Sequence, residues 1–279
     1  MLYAKPKKEA LAIHERAVSK YNDAFKKMNQ LGEHLYAKRH DCVTLLHEIE
    51  LLVNSIANHP KEFEKKISEI QAERKKFQDT EVYAEKAMDA AVKSGFSMAA
   101  GAAGGAAVAS IAPTVAMWVA TTFGTASTGT AISALSGAAA TKAALAWLGG
   151  GALSAGGAGI AGGQALLALA GPIGWGITGI TTAASVFALG HKNKKIADEA
   201  IAEAKKITIA GAEVKEASAK IQHLTEETVM LMDNLKDMVH ANQPLKGANY
   251  LKLSEDEQYR LGTMVNNTLA LAEMLNKTI

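Results

Sequence analysis

The chain has one cysteine, Cys42, so no intramolecular disulfide framework holds it and a reducing compartment is not excluded. Aromatic residues are scarce, at 5% of 279. No P-loop, CxxC, HExxH or GxSxG pattern occurs, which removes the common short signatures of phosphate, redox, zinc-protease and serine-hydrolase chemistry. A net charge of +2 gives no reason to expect nucleic acid or a strongly acidic substrate. The opening stretch, MLYAKPKKEALAIHERAV, lacks an apolar run of signal-peptide length. The expectation is a protein made soluble in the cytoplasm that, if exported, leaves by a non-classical route.

The most informative scarcity is local. Between Ser94 and Gly190, 97 residues carry a single charged side chain, Lys142, yet hold 20 of the 24 glycines. The flanks are ordinary in charge: residues 1–94 have 17 Lys/Arg and 15 Asp/Glu, and residues 191–279 have 12 and 13. All three tryptophans, Trp118, Trp147 and Trp175, lie in the uncharged stretch. The chain therefore reads as a charged N-terminal arm (1–94), an apolar glycine-rich head (95–190) and a charged C-terminal arm (191–279).

The arms carry helical periodicity and no strand signal. Positions 11, 18, 25, 32, 39, 46 and 53, with partners at 14, 21, 28, 35, 42, 49 and 56, form a heptad in which eleven of fourteen residues are apolar or Tyr. The exceptions are His14, Gly32 and Arg39. This predicts one helix from about residue 5 to 58, ended by His59-Pro60, because proline cannot continue the hydrogen-bond ladder. A second helix is predicted over about 61–93, with Phe63, Ile67, Ile70, Phe77, Ala84, Met88 and Ala91 on one face and Glu62 and Glu64 in its first turn. A third resumes near 191 along a stripe from Ile196 through Ala200, Ile207, Val214, Ile221 and Leu224 to Leu235 and Met238, and is broken by Gln243-Pro244 and Gly247. A fourth begins at Ser254, where Ser254 and Glu257 make a capping box. The expected fold is all-α: an elongated antiparallel helical bundle of long coiled-coil-like arms with a Gly/Ala-rich apolar helical head.

Within the head, Phe96–Thr121, Ala143–Ala170 and Gly171–Gly190 are uncharged windows of 26, 28 and 20 residues. Crossing a bilayer takes about 20 residues, so two to four crossings fit, with 122–141 as the turn or weak crossing. Gly101 and Gly105, Ala102 and Ala106, Gly159 and Gly163, and Gly174 and Thr178 are small-xxx-small pairs. In lipid, where no hydrophobic force drives helices together, such pairs let backbones approach closely. Gly101, Gly105, Trp118, Trp147, Gly159, Gly163 and Trp175 are accordingly the candidate insertion and helix-packing residues. Lys142 is a candidate functional charge, read here as sitting at a turn and meeting water. Basic residues flank both ends of the head (Arg74, Lys75, Lys76, Lys86 and Lys93; His191, Lys192, Lys194 and Lys195), which places both arms on one side and makes the number of crossings even.

Two sharper patterns fail. Gly157-Ala158-Gly159-Ile160-Ala161-Gly162 matches the dinucleotide fingerprint GxGxxG, but Gly149-Gly150-Gly151 interrupts any preceding strand, and no acidic residue follows until Asp198. With glycine this frequent the match is expected by chance. His40, Asp41, Cys42 and His47 are close in sequence, but on a helix only the two histidines share a face, and Cys42 holds a core heptad position. No metal, cofactor or catalytic residue is expected.

The segment ISALSGAAATKAALAWLGGGALSAGGAGIAGG (132–163) resembles the glycine-rich apolar segments of interferon-inducible small hydrophobic membrane proteins and their bacterial relatives. The whole layout, long helical arms around one apolar head, is similar to α-helical pore-forming toxins of the cytolysin A and haemolysin BL type. That resemblance implies a head hidden in the soluble form and inserted on assembly. This head is longer and richer in glycine than theirs, which points to a helical head rather than a β-tongue. The expected function is a non-enzymatic, pore-forming or membrane-permeabilising toxin or effector. Its expected partners are the lipid bilayer and further copies or related helical subunits, with no nucleic acid and no small-molecule substrate. The alternative is a membrane-anchored scaffold or adaptor whose arms bind proteins.

Overall fold

The heptad of the first arm becomes the first half of the helical framework. A computed structural model describes residues 4–93, 113–126, 128, 130–148 and 192–279. Among these, six α-helices are present: α1 (Ala4–Asn54), α2 (Lys61–Lys93), α3 (Pro113–Phe123), α4 (Gly137–Leu148), α5 (Lys192–Asn242) and α6 (Glu255–Met274). Among the described residues there is no β-strand, only isolated bridges between Ala57 and Asn249 and between Thr125 and Ala131. The all-α class expected from the arms therefore holds for the described chain.

The apolar stripes are the buried faces. Of the fourteen heptad positions, thirteen on α1 and Ile56 just beyond it, twelve are buried, including the non-apolar Gly32 and Arg39, and Leu11 and His14 are half-buried. On α2, Phe63, Ile67, Ile70, Phe77, Ala84 and Met88 are buried, as are Leu261, Val265 and Ala272 on α6. The capping box forms at Ser254: its Oγ accepts from the Glu257 amide, and the Ser254 amide donates to the Glu257 carboxylate at 2.8 Å.

One boundary differs from the sequence reading. α1 stops at Asn54, four residues short of its expected end, and Pro60 is not the cause. Ala57 instead pairs with the α5–α6 connection, donating its amide to the Ala248 carbonyl and accepting from the Tyr250 amide, each at 2.8 Å. Asn58 adopts a left-handed backbone with φ 57°, which a short polar side chain tolerates. A tertiary backbone pairing thus unwinds the last turn before the proline is reached.

The chain folds as two compact units, His34–Tyr83 with Ile221–Ile279, and Met1–Glu33 with Ala84–Lys220. In the first of these, α2 runs back along α1: the Tyr36 ring lies tilted against that of Phe77 at 6.3 Å, and Arg74 pairs at 3.0 Å with Glu50, whose other oxygen accepts from Gln71. α5 meets α1 where the Cys42 thiol lies 3.8 Å from the Met232 sulfur, and α6 meets α5 through Asn242 and Met264. Arg39, fully buried, donates from one guanidinium nitrogen to the Lys277 carbonyl at 2.6 Å. Burial pulls its pKa down to about 10, because a guanidinium sheltered from water holds its charge less firmly.

In the other unit, α1 and α5 meet through Ala10, Ala197 and Ala200, with Leu11 and Ile201 closing the edge. The small side chains allow close approach of the two helices. His14 stands 3.9 Å from Glu203 in the same region. The other described helices of this unit are α3 and α4, with the end of α2.

Candidate functional site

The described part of the apolar head is the α3–α4 pair and its connection. α3 begins at Pro113, where a missing amide hydrogen costs a helix nothing. Six consecutive α3 residues, Ala116 to Thr121, are buried. Six in a row is more than one full turn, so α3 is enclosed on every side, as a helix apolar all round must be in water. Thr121, the polar member, is satisfied within its own helix: its hydroxyl donates to the Met117 carbonyl at 2.9 Å.

Gly124 ends α3. Its amide donates to the Ala120 carbonyl at 2.9 Å, and a Cβ built there would lie 2.3 Å from that same oxygen and 2.8 Å from Ile132 Cδ1. Only glycine allows the chain to turn here. The reversal is closed by the bridge between Thr125 and Ala131, with the Ile132 amide donating to the Gly124 carbonyl at 2.9 Å. Ile132 opens a short 3-10 turn and is itself buried, and α4 starts at Gly137. The connection therefore lies between Phe123 and Gly137, inside the stretch 122–141 read as a turn or a weak crossing.

The pair is seated on α1 through two contacts one helical stripe apart. The Trp147 ring lies 5.7 Å from that of Phe25, which itself stacks on Tyr21 at 6.0 Å. Val119 packs into the space left by Gly32, where a Cβ would stand 2.6 and 3.0 Å from the two Val119 methyls. Phe25 and Gly32 share one face of α1, seven residues apart. Tyr21, beneath them, has its phenol pKa pushed up, first by burial and then by the charge of Glu213. Trp118, buried, meets Phe123 edge-on at 5.6 Å inside the pair. Each large apolar side chain enclosed in this way contributes about 1.5–3 kcal/mol before ordering entropy is counted.

Of the candidate residues read from the sequence, Trp118 is a buried core residue of α3, and Trp147 is half-buried and touches α1. Lys142 lies within α4, not in a turn, because the turn closes earlier at Ala131 and α4 already begins at Gly137; its side chain is exposed. Gly101, Gly105, Gly159, Gly163 and Trp175, and the pairs Ala102 with Ala106 and Gly174 with Thr178, lie outside the described residues. Sequence reasoning missed Val119, Gly124 and the seat at Gly32. The last left a signal as an unexplained gap in the heptad.

Among the described residues no helix is long and apolar enough to cross a membrane. α3 and α4 have 11 and 12 residues, about half of what a bilayer requires. No group of three or more His, Cys, Asp or Glu among the described residues could hold a metal. Cys42 is buried, and burial raises its thiol pKa to about 12, so it is a packing residue and not a nucleophile. Comparison with family models, curated proteins and solved structures finds no match in any of the three.

Proposed function

We propose that this protein is a membrane-active helical protein, pore-forming or permeabilising, whose apolar head is stowed against the arms in water and inserts into a bilayer to oligomerise. The observation that carries this reading is the seating of the nearly uncharged α3–α4 pair on α1, through Val119 at Gly32 and Trp147 at Phe25. A stretch that has no charged face can be stable in water only by covering itself. In lipid the same surface needs no cover, so the two environments favour different arrangements of one sequence. The glycines of 95–190 supply close helix contacts in the inserted form, and the arms control assembly. The protein performs no catalysis in this reading. It acts at a membrane on lipid and on further copies of itself.

The test is a reversible lock. With cysteines replacing Gly32 and Val119, the two Cβ atoms stand about as far apart as the 3.4 Å measured from a built Gly32 Cβ to Val119 Cβ. That is at the short end of what a disulfide spans, roughly 3.5–4.5 Å. The native Cys42, buried and high in pKa, does not compete. Dye release from phosphatidylcholine–phosphatidylglycerol vesicles is expected from the native protein and from the reduced double variant, and not from the oxidised one. Absence of leakage from the native protein at every pH and lipid composition tried would remove the reading.

A further inference from the structure

Asn29 lies on α1 between the two seats, four residues after Phe25 and three before Gly32, on the stripe that carries the α3–α4 pair. It is 1% exposed, and among the described residues neither its Oδ1 nor its Nδ2 has a hydrogen-bond partner. A carboxamide taken from water and given nothing in return is a standing penalty on the closed arrangement. Nothing in helix formation calls for it, since asparagine is among the weaker helix formers. Directly beside it, Gly32 is the only thing that lets Val119 in. The α1 face that carries Phe25 and Gly32 thus combines close apolar fit with one unsatisfied polar group.

We infer that Asn29 is the release element of the α3–α4 pair: its unsatisfied amide, rehydrated when the pair lifts from α1, sets how readily the pair leaves. This deepens the proposed membrane function and rests on it for its biological meaning, but the opening itself is a property of the protein in water. Asn29→Leu keeps the branched shape and removes the amide; it relieves the closed state of an unsatisfied polar group and makes the open state, which exposes the new side chain to water, less favourable. The population of the open form is then expected to fall roughly ten- to hundredfold, the scale set by one unsatisfied buried polar group.

Hydrogen exchange of the α3 amides 116–123, measured on the full chain in solution, reads that population directly. Asn29→Leu should slow exchange in α3 by about tenfold or more, with the α6 amides unchanged. If leucine does not fit, Asn29→Ala removes the same amide, and slower α3 exchange is expected where the relief of the amide outweighs the small cavity left. Unchanged or faster exchange in α3 with both variants overturns the inference. So does slowing by one common factor across α1, α3 and α5, which would make Asn29 an ordinary core defect. Vesicle leakage separates this inference from the reading it rests on. Slower α3 exchange with slower leakage supports both; slower α3 exchange with no leakage from any form, native included, leaves the release element standing and removes the membrane function.

Discussion

Gly32→Ala is a one-methyl change whose sign follows from two opposed terms. Alanine is favoured over glycine in a helix interior by nearly 1 kcal/mol, so an isolated α1 would gain. The added methyl, however, would lie 2.6 and 3.0 Å from the two methyls of Val119. Ordinary carbon contacts are about 3.5–4.0 Å, so Val119 must retreat by close to 1 Å. Val119 is 1% exposed and β-branched, with one strongly preferred rotamer in a helix, so it cannot swing aside cheaply. Overpacking of this kind costs typically 1–3 kcal/mol. The net expectation is a loss of up to about 2 kcal/mol, felt in the docking of α3 and not in α1. Val119→Ala alone should also weaken docking, by the loss of two methyls and the gap left behind. In the double variant the new methyl at 32 fills part of that gap. The two losses should therefore fall short of adding, with a coupling of about 1 kcal/mol or more. Hydrogen exchange of residues 116–123 in the four proteins of the cycle gives that coupling. Additive effects, within about 0.5 kcal/mol, would mean that Gly32 does not seat Val119 and would refute the reasoning.

Gly124→Ala should disrupt the turn after α3 more severely than Gly32→Ala disrupts the seat, because the new Cβ meets a backbone oxygen at 2.3 Å and not a side chain; near-ultraviolet circular dichroism of the three tryptophans reports it. Arg39→Ala should destabilise the unit containing α6 by about 2–4 kcal/mol in urea unfolding, while Arg39→Met, which keeps the apolar stem, should recover more than half of that loss. His14 has its pKa held below the ordinary 6.5 by burial, with Glu203 pulling the other way. Below pH 6.5 the unfolded chain takes up the proton that the folded unit resists, so stability present above 6.5 is lost as pH falls through the lowered folded value. Thermal melting should therefore decline from about pH 7.5 to 5, and His14→Gln should flatten that decline; an identical slope in the variant would exclude His14 as its source.

Most of the helical framework was legible because periodicity is a local property. The stripes on α1, α2, α5 and α6 could be traced residue by residue, and the Ser254–Glu257 capping box sits within four residues of chain. What escaped was set by partners far away in sequence. The end of α1 depends on Ala57 pairing with Ala248 and Tyr250, about 190 residues on. The α3–α4 connection was legible only as a stretch: 122–141, the most polar part of the head, offered a turn or a weak crossing, and its small uncharged residues neither separated the two nor fixed the bounds at 124–136. The discriminating residue, Gly124, is one of twenty glycines in the head and carries no local mark.

The heptad's three exceptions show where sequence reading held more than it yielded. A run of eleven apolar positions makes a good helix face, and His14, Gly32 and Arg39 look like tolerated noise within it. Each turns out to have its own physical occupation. Arg39 reaches the Lys277 carbonyl from a fully buried position, which no apolar residue could do. Gly32 gives up a side chain so that Val119 can approach, a use of glycine that appears only when the second helix is present. His14 carries a proton affinity altered by burial next to Glu203. A packed face can absorb a polar or missing side chain only if something compensates, since the interior leaves little room for error. Asn29 has no such compensation and no heptad position to draw attention to it. It is the one buried amide on this face left without a partner among the described residues, beside the seat of the only apolar helices described in the head. A sequence selected for stability alone would have little reason to keep it, whereas one that must let α3 go would.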